Sequence, residues 1–256
     1  MKRKKKNGLI LQKKNRRYFL VGIAALLSLV LVSAFGWHWA SKLKCSRIEV
    51  TGARLAEVKT VIGLSGVDTS MVMLDIDPVL VADRVRRDPW ISVAHVQRLP
   101  TGTLSIRVEE RTPVVLVLDK RGKPSRYLDE TGAQMPLREG AFFDVPLMRG
   151  VHQVFHPVQH IEDPIVRAYL RALASAPPTL NALVSEVERR SDGDIWIQTV
   201  PAGESGAISV RLGHDEFTSR LARLGAFWNQ AVLAYPDHKF QFIDLRFERQ
   251  IVTRES

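Results

Sequence analysis

Residues 18–41, YFLVGIAALLSLVLVSAFGWHWAS, form an uncharged apolar run that fixes how the rest of the chain can be arranged. At 1.5 Å per residue, about 24 helical residues reach about 36 Å, enough to cross a hydrocarbon core of about 30 Å with some tilt. The run predicts one transmembrane helix over 18–41. Before it, residues 1–17 carry Lys2, Arg3, Lys4, Lys5, Lys6, Lys13, Lys14, Arg16 and Arg17 and no acidic side chain. The positive-inside rule then keeps this basic tail in the cytoplasm and places everything after Ser41 outside it. Tyr18 at one end, and Trp37 and Trp39 at the other, suit the two headgroup belts. The rival reading is a cleaved signal peptide ending near Val32-Ser33-Ala34, but the apolar run continues to Ala40, beyond the usual h-region of about 7–15 residues.

The net charge of +10 over 256 residues suggests an anionic partner until it is divided along the chain. Nine of the 37 lysines and arginines lie in the tail, leaving 28 against 27 acidic groups, a net of +1. No basic domain for nucleic acid remains. The tail's plain role is to orient the span, with anionic headgroups as a second use. About 215 residues follow the span, enough for one large or two modest domains. Cys45 is the single cysteine, which excludes an intrachain disulfide. Lys44 before it spoils a lipidation signal, so the thiol reads as incidental.

Ser46–Gly52 alternates polar and apolar residues and stops at glycine, as a half-buried strand does. A short helix is expected over Leu55–Leu64, with Leu55, Val58, Val61 and Ile62 on one face. Asp77-Pro78 has the form of an N-cap and first helical residue. The helix that follows turns Val81, Ala82 and Val85 inward and Arg84, Arg86 and Arg87 to water, ending at Asp88-Pro89. Ile91–Arg98 and Thr103–Glu110 then form a hairpin around Leu99–Gly102, with Leu104, Ile106 and Val108 on one side. The order is β-α-α-β-β, with the first strand beside the hairpin and both helices on one face.

After Arg111-Thr112-Pro113 the texture changes to short strands separated by Gly-, Asp- and Pro-rich turns. The strands expected are Val114–Leu118, Tyr127–Asp129, Pro146–Met148, Leu183–Arg189, Ile195–Thr199, Ala207–Leu212, Phe240–Arg246 and Arg249–Thr253. Helices are expected over Asp163–Ala176 and Glu216–Ala234, their apolar residues at helical spacing forming core. The fold class expected is α+β: a span, a β-α-α-β-β unit, and an antiparallel β domain with packed helices.

The segment DPWISVAHVQRLP at 88–100 and the strand LSIRVEERTPV at 104–114 resemble the bacterial cell-division family FtsQ (DivIB). Ile48–Gly52, Leu128-Asp129 with Gly132, and Phe242–Arg246 support the likeness, which extends over the whole chain. Where the family often has Tyr and then Gly after Asp-Leu-Arg, this chain has Phe247 and Gln250. The resemblance implies a POTRA domain at 45–113 and the family's β domain at 114–254. It implies a non-enzymatic scaffold of the inner membrane, enriched at the division septum, that binds FtsB and FtsL and helps to control septal wall synthesis. FtsW, FtsI and FtsK are further partners it suggests.

Motifs for chemistry are weak by comparison. His152, His156 and His160 recur every fourth residue, but Pro157 disfavours the helix that would align them for a metal, so a polar loop is expected. Glu109 and Glu110 are strand neighbours pointing to opposite faces, which predicts solvated or Arg-paired carboxylates rather than an acid/base pair. Neither a catalytic nor a cofactor motif appears. Two alternatives stay open: a membrane-anchored periplasmic cell-wall hydrolase, and a subunit of an outer-membrane pore, the latter lacking any run of barrel strands. The binding surface is expected where Phe240–Arg246 and Arg249–Thr253 close the β domain. A final strand tends to lie at a sheet edge, with Arg246, Phe247, Arg249 and Ile251 flanking a strand added there.

Overall fold

The computed structural model describes residues 4–202, 206–235, 238–248 and 250–255. Its first element is helix α1, Lys4–Ala40. Within α1, the 23 residues Tyr18–Ala40 are long and apolar enough to cross a membrane, and their apolar window is not buried against the rest of the chain.

A three-stranded unit follows, built from β1 (Arg47–Thr51), α2 (Val58–Ser65), α3 (Pro78–Val85), β2 (Ile91–Arg98) and β3 (Thr103–Glu110). β3 lies in the centre, parallel to β1 and antiparallel to β2. Leu104, Ile106 and Val108 turn inward as their alternation predicts, and meet Val61, Val81, Val85 and Cys45. Asp77 caps α3, its Oδ1 accepting from the N–H of Val79 at 2.8 Å, with Pro78 in the first turn.

Two expectations fail here for one reason. The helix expected from Leu55 begins only at Val58, and Glu110, partly exposed, pairs with backbone amides instead of arginine. Its Oε1 accepts the backbone N–H groups of Arg54, Leu55 and Ala56 at 2.8, 2.7 and 2.7 Å. The three amides wrap around one carboxylate in a bent segment, 54–56, and α2 starts only after it. Val58 is therefore 44% exposed, and Val61 alone on that face is fully buried. Arg84, expected in water with Arg86 and Arg87, is half-buried and donates from Nη1 to Ser65 O at the end of α2. Arg86 pairs with Asp83 on the surface.

The larger unit comprises β4 (Val115–Leu118), β5 (Pro124–Leu128), β6 (Gln134–Pro136), β7 (Leu147–Arg149), α4 (Pro164–Ala174), α5 (Pro178–Asn181), β8 (Val184–Arg189), β9 (Ile195–Thr199), β10 (Ser209–Gly213), α6 (Phe217–Phe227), β11 (Phe240–Asp244) and β12 (Val252–Glu255). One π-turn, Trp228–Val232, extends α6. The strands form a single sheet in the order β12-β11-β10-β9-β8-β7-β4-β5-β6. The sheet is mixed rather than antiparallel throughout, since β4–β7, β7–β8 and β10–β11 run parallel. α4 with α5, and α6, are crossover connections, and a crossover returns the next strand in the same direction. Both long helices lie on one face and bury Tyr169, Leu170, Leu221 and Trp228 against Val187, Ile197, Val210 and Ile243.

The two units meet in an aromatic seam. Trp90, fully buried, lies 6.2 Å from the ring of Tyr127 and 5.8 Å from that of Phe143, with Met135 completing the cluster. Arg111 bonds Asp129 at 2.7 Å across the same boundary, and Arg138 donates to Leu55 O.

Candidate protein-binding surface

Strand β12 is an end strand of the nine-stranded sheet and pairs only with β11. Its side chains are mostly exposed. A strand so placed presents a row of main-chain N–H and C=O groups to an incoming segment. The residues expected to flank it are distributed differently from the expectation, because β12 starts at Val252 instead of residue 249. Arg246, Phe247 and Ile251 thus belong to the connection between β11 and β12, and Arg249 lies outside the described residues.

Arg223 of α6 explains the shape of this connection. Its guanidinium donates to three backbone carbonyls: Leu245 O, Phe247 O at 2.6 Å and Glu248 O at 3.0 Å. Carbonyls turned in toward one cation cannot continue a ladder, so the strand breaks after Asp244. Phe247 is 42% exposed and takes no part in the buried cluster of the larger unit. Ile251 is half-buried and packs against that cluster. Nothing in the sequence around 245–248 announces Arg223, which acts from more than 20 residues away in the chain.

Arg246 grips Asp244 with Nε at 3.0 Å and Nη2 at 2.8 Å. Burial pushes the Asp244 carboxyl up, but the hydrogen bonds and charge of Arg246 outweigh it and hold the group below the usual carboxylate range. Asp194 at the β8–β9 turn follows the same logic. Burial opposes its charge, while His214, Arg211 and Arg246 stabilise it and leave its pKa lowered. On the sheet face away from the helices, Trp196 carries the Arg190 guanidinium 4.0 Å above its ring and lies 5.6 Å from Phe242. The region next to β12 thus combines exposed aromatic carbon with arginines already held in place by carboxylates.

The histidines expected in a loop lie in one, between β7 and α4. His156 Nδ1 accepts the N–H groups of Val158 and Gln159 at 3.2 and 2.9 Å, and His160 Nδ1 faces Thr131 O at 3.2 Å. Among the described residues no three His, Cys, Asp or Glu side chains converge as a metal site. A concavity of about 970 Å³ opens between the two units, bounded by Arg111, Asp129, Asp144, Leu173, Asn181 and Ser185. No histidine, cysteine or lysine is among its lining residues.

A family model described as FtsQ/DivIB, C-terminal related, matches residues 112–254, and one described as POTRA domain, FtsQ-type, matches 43–111. Cell division protein FtsQ of Rhodothermus marinus is 45% identical over 240 residues, covering 94% of this chain and 88% of that protein. The protein of the same name from Salinibacter ruber is 38% identical over 229 residues, covering 88% of each. A solved structure, the major extracytoplasmic domain of the trans isomer of the cell division protein DivIB from Geobacillus stearothermophilus, aligns with a TM-score of 0.33 at 16% identity, over 47% of this chain and 92% of that one.

Proposed function

Because the chain belongs to the FtsQ/DivIB family of bacterial cell-division proteins, we propose that it works as a non-enzymatic, single-pass scaffold of the division complex, binding FtsB and FtsL. In this reading residues 1–17 lie in the cytoplasm, 18–41 span the inner membrane, and 45–113 and 114–254 are two folding units in the periplasm, enriched at the septum. FtsW, FtsI and FtsK join the same assembly. The observation that carries the reading is the open edge of β12, beside an exposed Phe247. A partner strand adds to β12, Phe247 supplies an aromatic anchor, Ile251 extends the apolar contact, and acidic partner residues meet Arg246 and Arg249.

The test is co-purification of the full chain with FtsB and FtsL, compared with the Phe247→Ala variant. The variant is expected to weaken the complex by about 2 kcal/mol, roughly 30-fold, with an unfolding midpoint close to that of the wild type. Unchanged affinity would remove Phe247 from the interface, and failure of the wild-type chain to hold either partner would remove the whole reading.

A further inference from the structure

The end of α1 and the smaller sheet are joined without a flexible linker. Ser41 N–H donates to Trp37 O, Lys42 N–H to Trp39 O and Leu43 N–H to Ala40 O, so helical winding continues to Leu43. From there the chain is pinned on two sides. Leu43 O accepts from Met73 N–H at 2.8 Å and Cys45 N–H donates to Met71 O at 2.8 Å, while Ser46 N–H donates to Gly102 O at 2.7 Å. Leu43 itself packs against the core of the smaller unit.

These bonds fix a height. At 1.5 Å per residue Leu43 sits about 5 Å beyond Ala40, and the headgroup layer extends about 5–8 Å past the hydrocarbon core on each side. With α1 read as a span, segment 71–74 comes to headgroup level. The first turn of α3 lies at the same end, since α3 runs away from it toward Trp90 and β2 returns to it at Arg98, whose Nη1 donates to Leu74 O at 3.1 Å. Four large apolar side chains are turned outward in this region: Met71 and Leu74 at 42% exposure, Leu80 at 46% and Val79 at 70%. Lys42 and Lys44, both exposed, flank them.

We propose that this rim, Met71, Leu74, Val79 and Leu80, is a lipid-docking surface that seats the smaller unit in the outer headgroup layer of the membrane its own helix crosses. The proposal rests on the reading of α1 as a span. Four apolar side chains within ten residues match the acyl boundary of a phospholipid surface, and Lys42 and Lys44, with Asp75 and Asp77 between the apolar residues, meet its charged headgroups. Docking would fix the tilt of the β-α-α-β-β unit and point the larger sheet away from the bilayer.

Cys45 is fully buried, so a cysteine introduced by Leu74→Cys, Val79→Cys, Arg87→Cys or Ser28→Cys takes a fluorescent maleimide selectively in the folded chain. The full-length protein is reconstituted in vesicles of phosphatidylcholine and phosphatidylglycerol carrying nitroxide lipids. Labels at 74 and 79 should lose most of their emission to a headgroup nitroxide, whereas the label at 87, at the far end of α3, should keep it. The label at 28 should be quenched by an acyl-chain nitroxide. Quenching at 28 with emission intact at 74 and 79 overturns the docking and leaves the span standing. Emission intact at 28 as well overturns the span reading and the docking together. Equal quenching at 74, 79 and 87 overturns the localised rim.

Discussion

The nine-stranded sheet has two ends, and they are finished in opposite ways. At one end β6 is three residues long, closes on Pro136 and has Gln134 and Met135 buried. The loop before α4 runs beside it: Ile161 N–H donates to Gly132 O at 2.8 Å and Gln134 Nε2 to Gln159 O at 2.9 Å. The aromatic seam with Trp90 backs the same strand through Met135. At the other end β12 carries no proline, is mostly exposed and pairs on one side only. Shortness, proline and cover are the ordinary means of blunting an edge. Both edge strands are short, but only β6 adds proline and cover, which leaves the β12 edge the more open of the two.

Three experiments press on this contrast. The largest effect is expected from Trp90→Ala, which empties the seam behind the guarded edge and should cost about 3–5 kcal/mol of stability in chemical denaturation. A loss under about 1 kcal/mol would mean that the seam is contact without cohesion. Next come Thr253→Pro and Arg254→Pro. Neighbouring residues in a strand aim their N–H groups in opposite directions, so one substitution removes an outward donor and the other a bond to β11. The first should weaken partner binding by about 2 kcal/mol at nearly unchanged stability, and the second should lower both. Equal behaviour of the two in a binding titration would sink the strand-addition idea.

The smallest effect is electrostatic. Asp244 has a folded-state pKa below its unfolded value of about 3.9, so its pairing with Arg246 stabilises the β11–β12 connection above that pH and is lost as pH falls through the folded value. Hydrogen exchange in residues 245–252 should therefore speed up below about pH 4, while β5 and β6 stay protected. In Asp244→Asn that acid-dependent step should be absent, and its persistence would assign the step to another carboxyl.

What the sequence made legible was whatever is written locally. The hairpin Ile91–Arg98 with Thr103–Glu110 ends where its alternation ends, and Asp77-Pro78 starts a helix as its chemistry requires. What stayed hidden acts over distance or in pieces too short for a period. β6 has three residues, fewer than two full repeats of a strand pattern. Glu110 looks like any strand carboxylate until the amides of 54–56 arrive beside it. Parallel pairing across β4, β7 and β8 depends on where crossovers land, and no single strand records that. The candidate surface was legible as an end strand, but the point where β11 gives way to the connection was not, because Arg223 binds the carbonyls of 245, 247 and 248 from another element.

The aromatic seam also bears on how the chain is made. Synthesis proceeds from the N-terminus, so Trp90 leaves the ribosome before Tyr127, Met135 and Phe143, the residues that form its bed. Until Phe143 follows, the nascent β-α-α-β-β unit carries an indole with only Leu55 of its own residues packed in that cluster, the kind of transient apolar surface that holding chaperones bind. Covering Trp90 therefore waits on the early strands of the neighbouring unit, while the core of the smaller unit is built from its own residues.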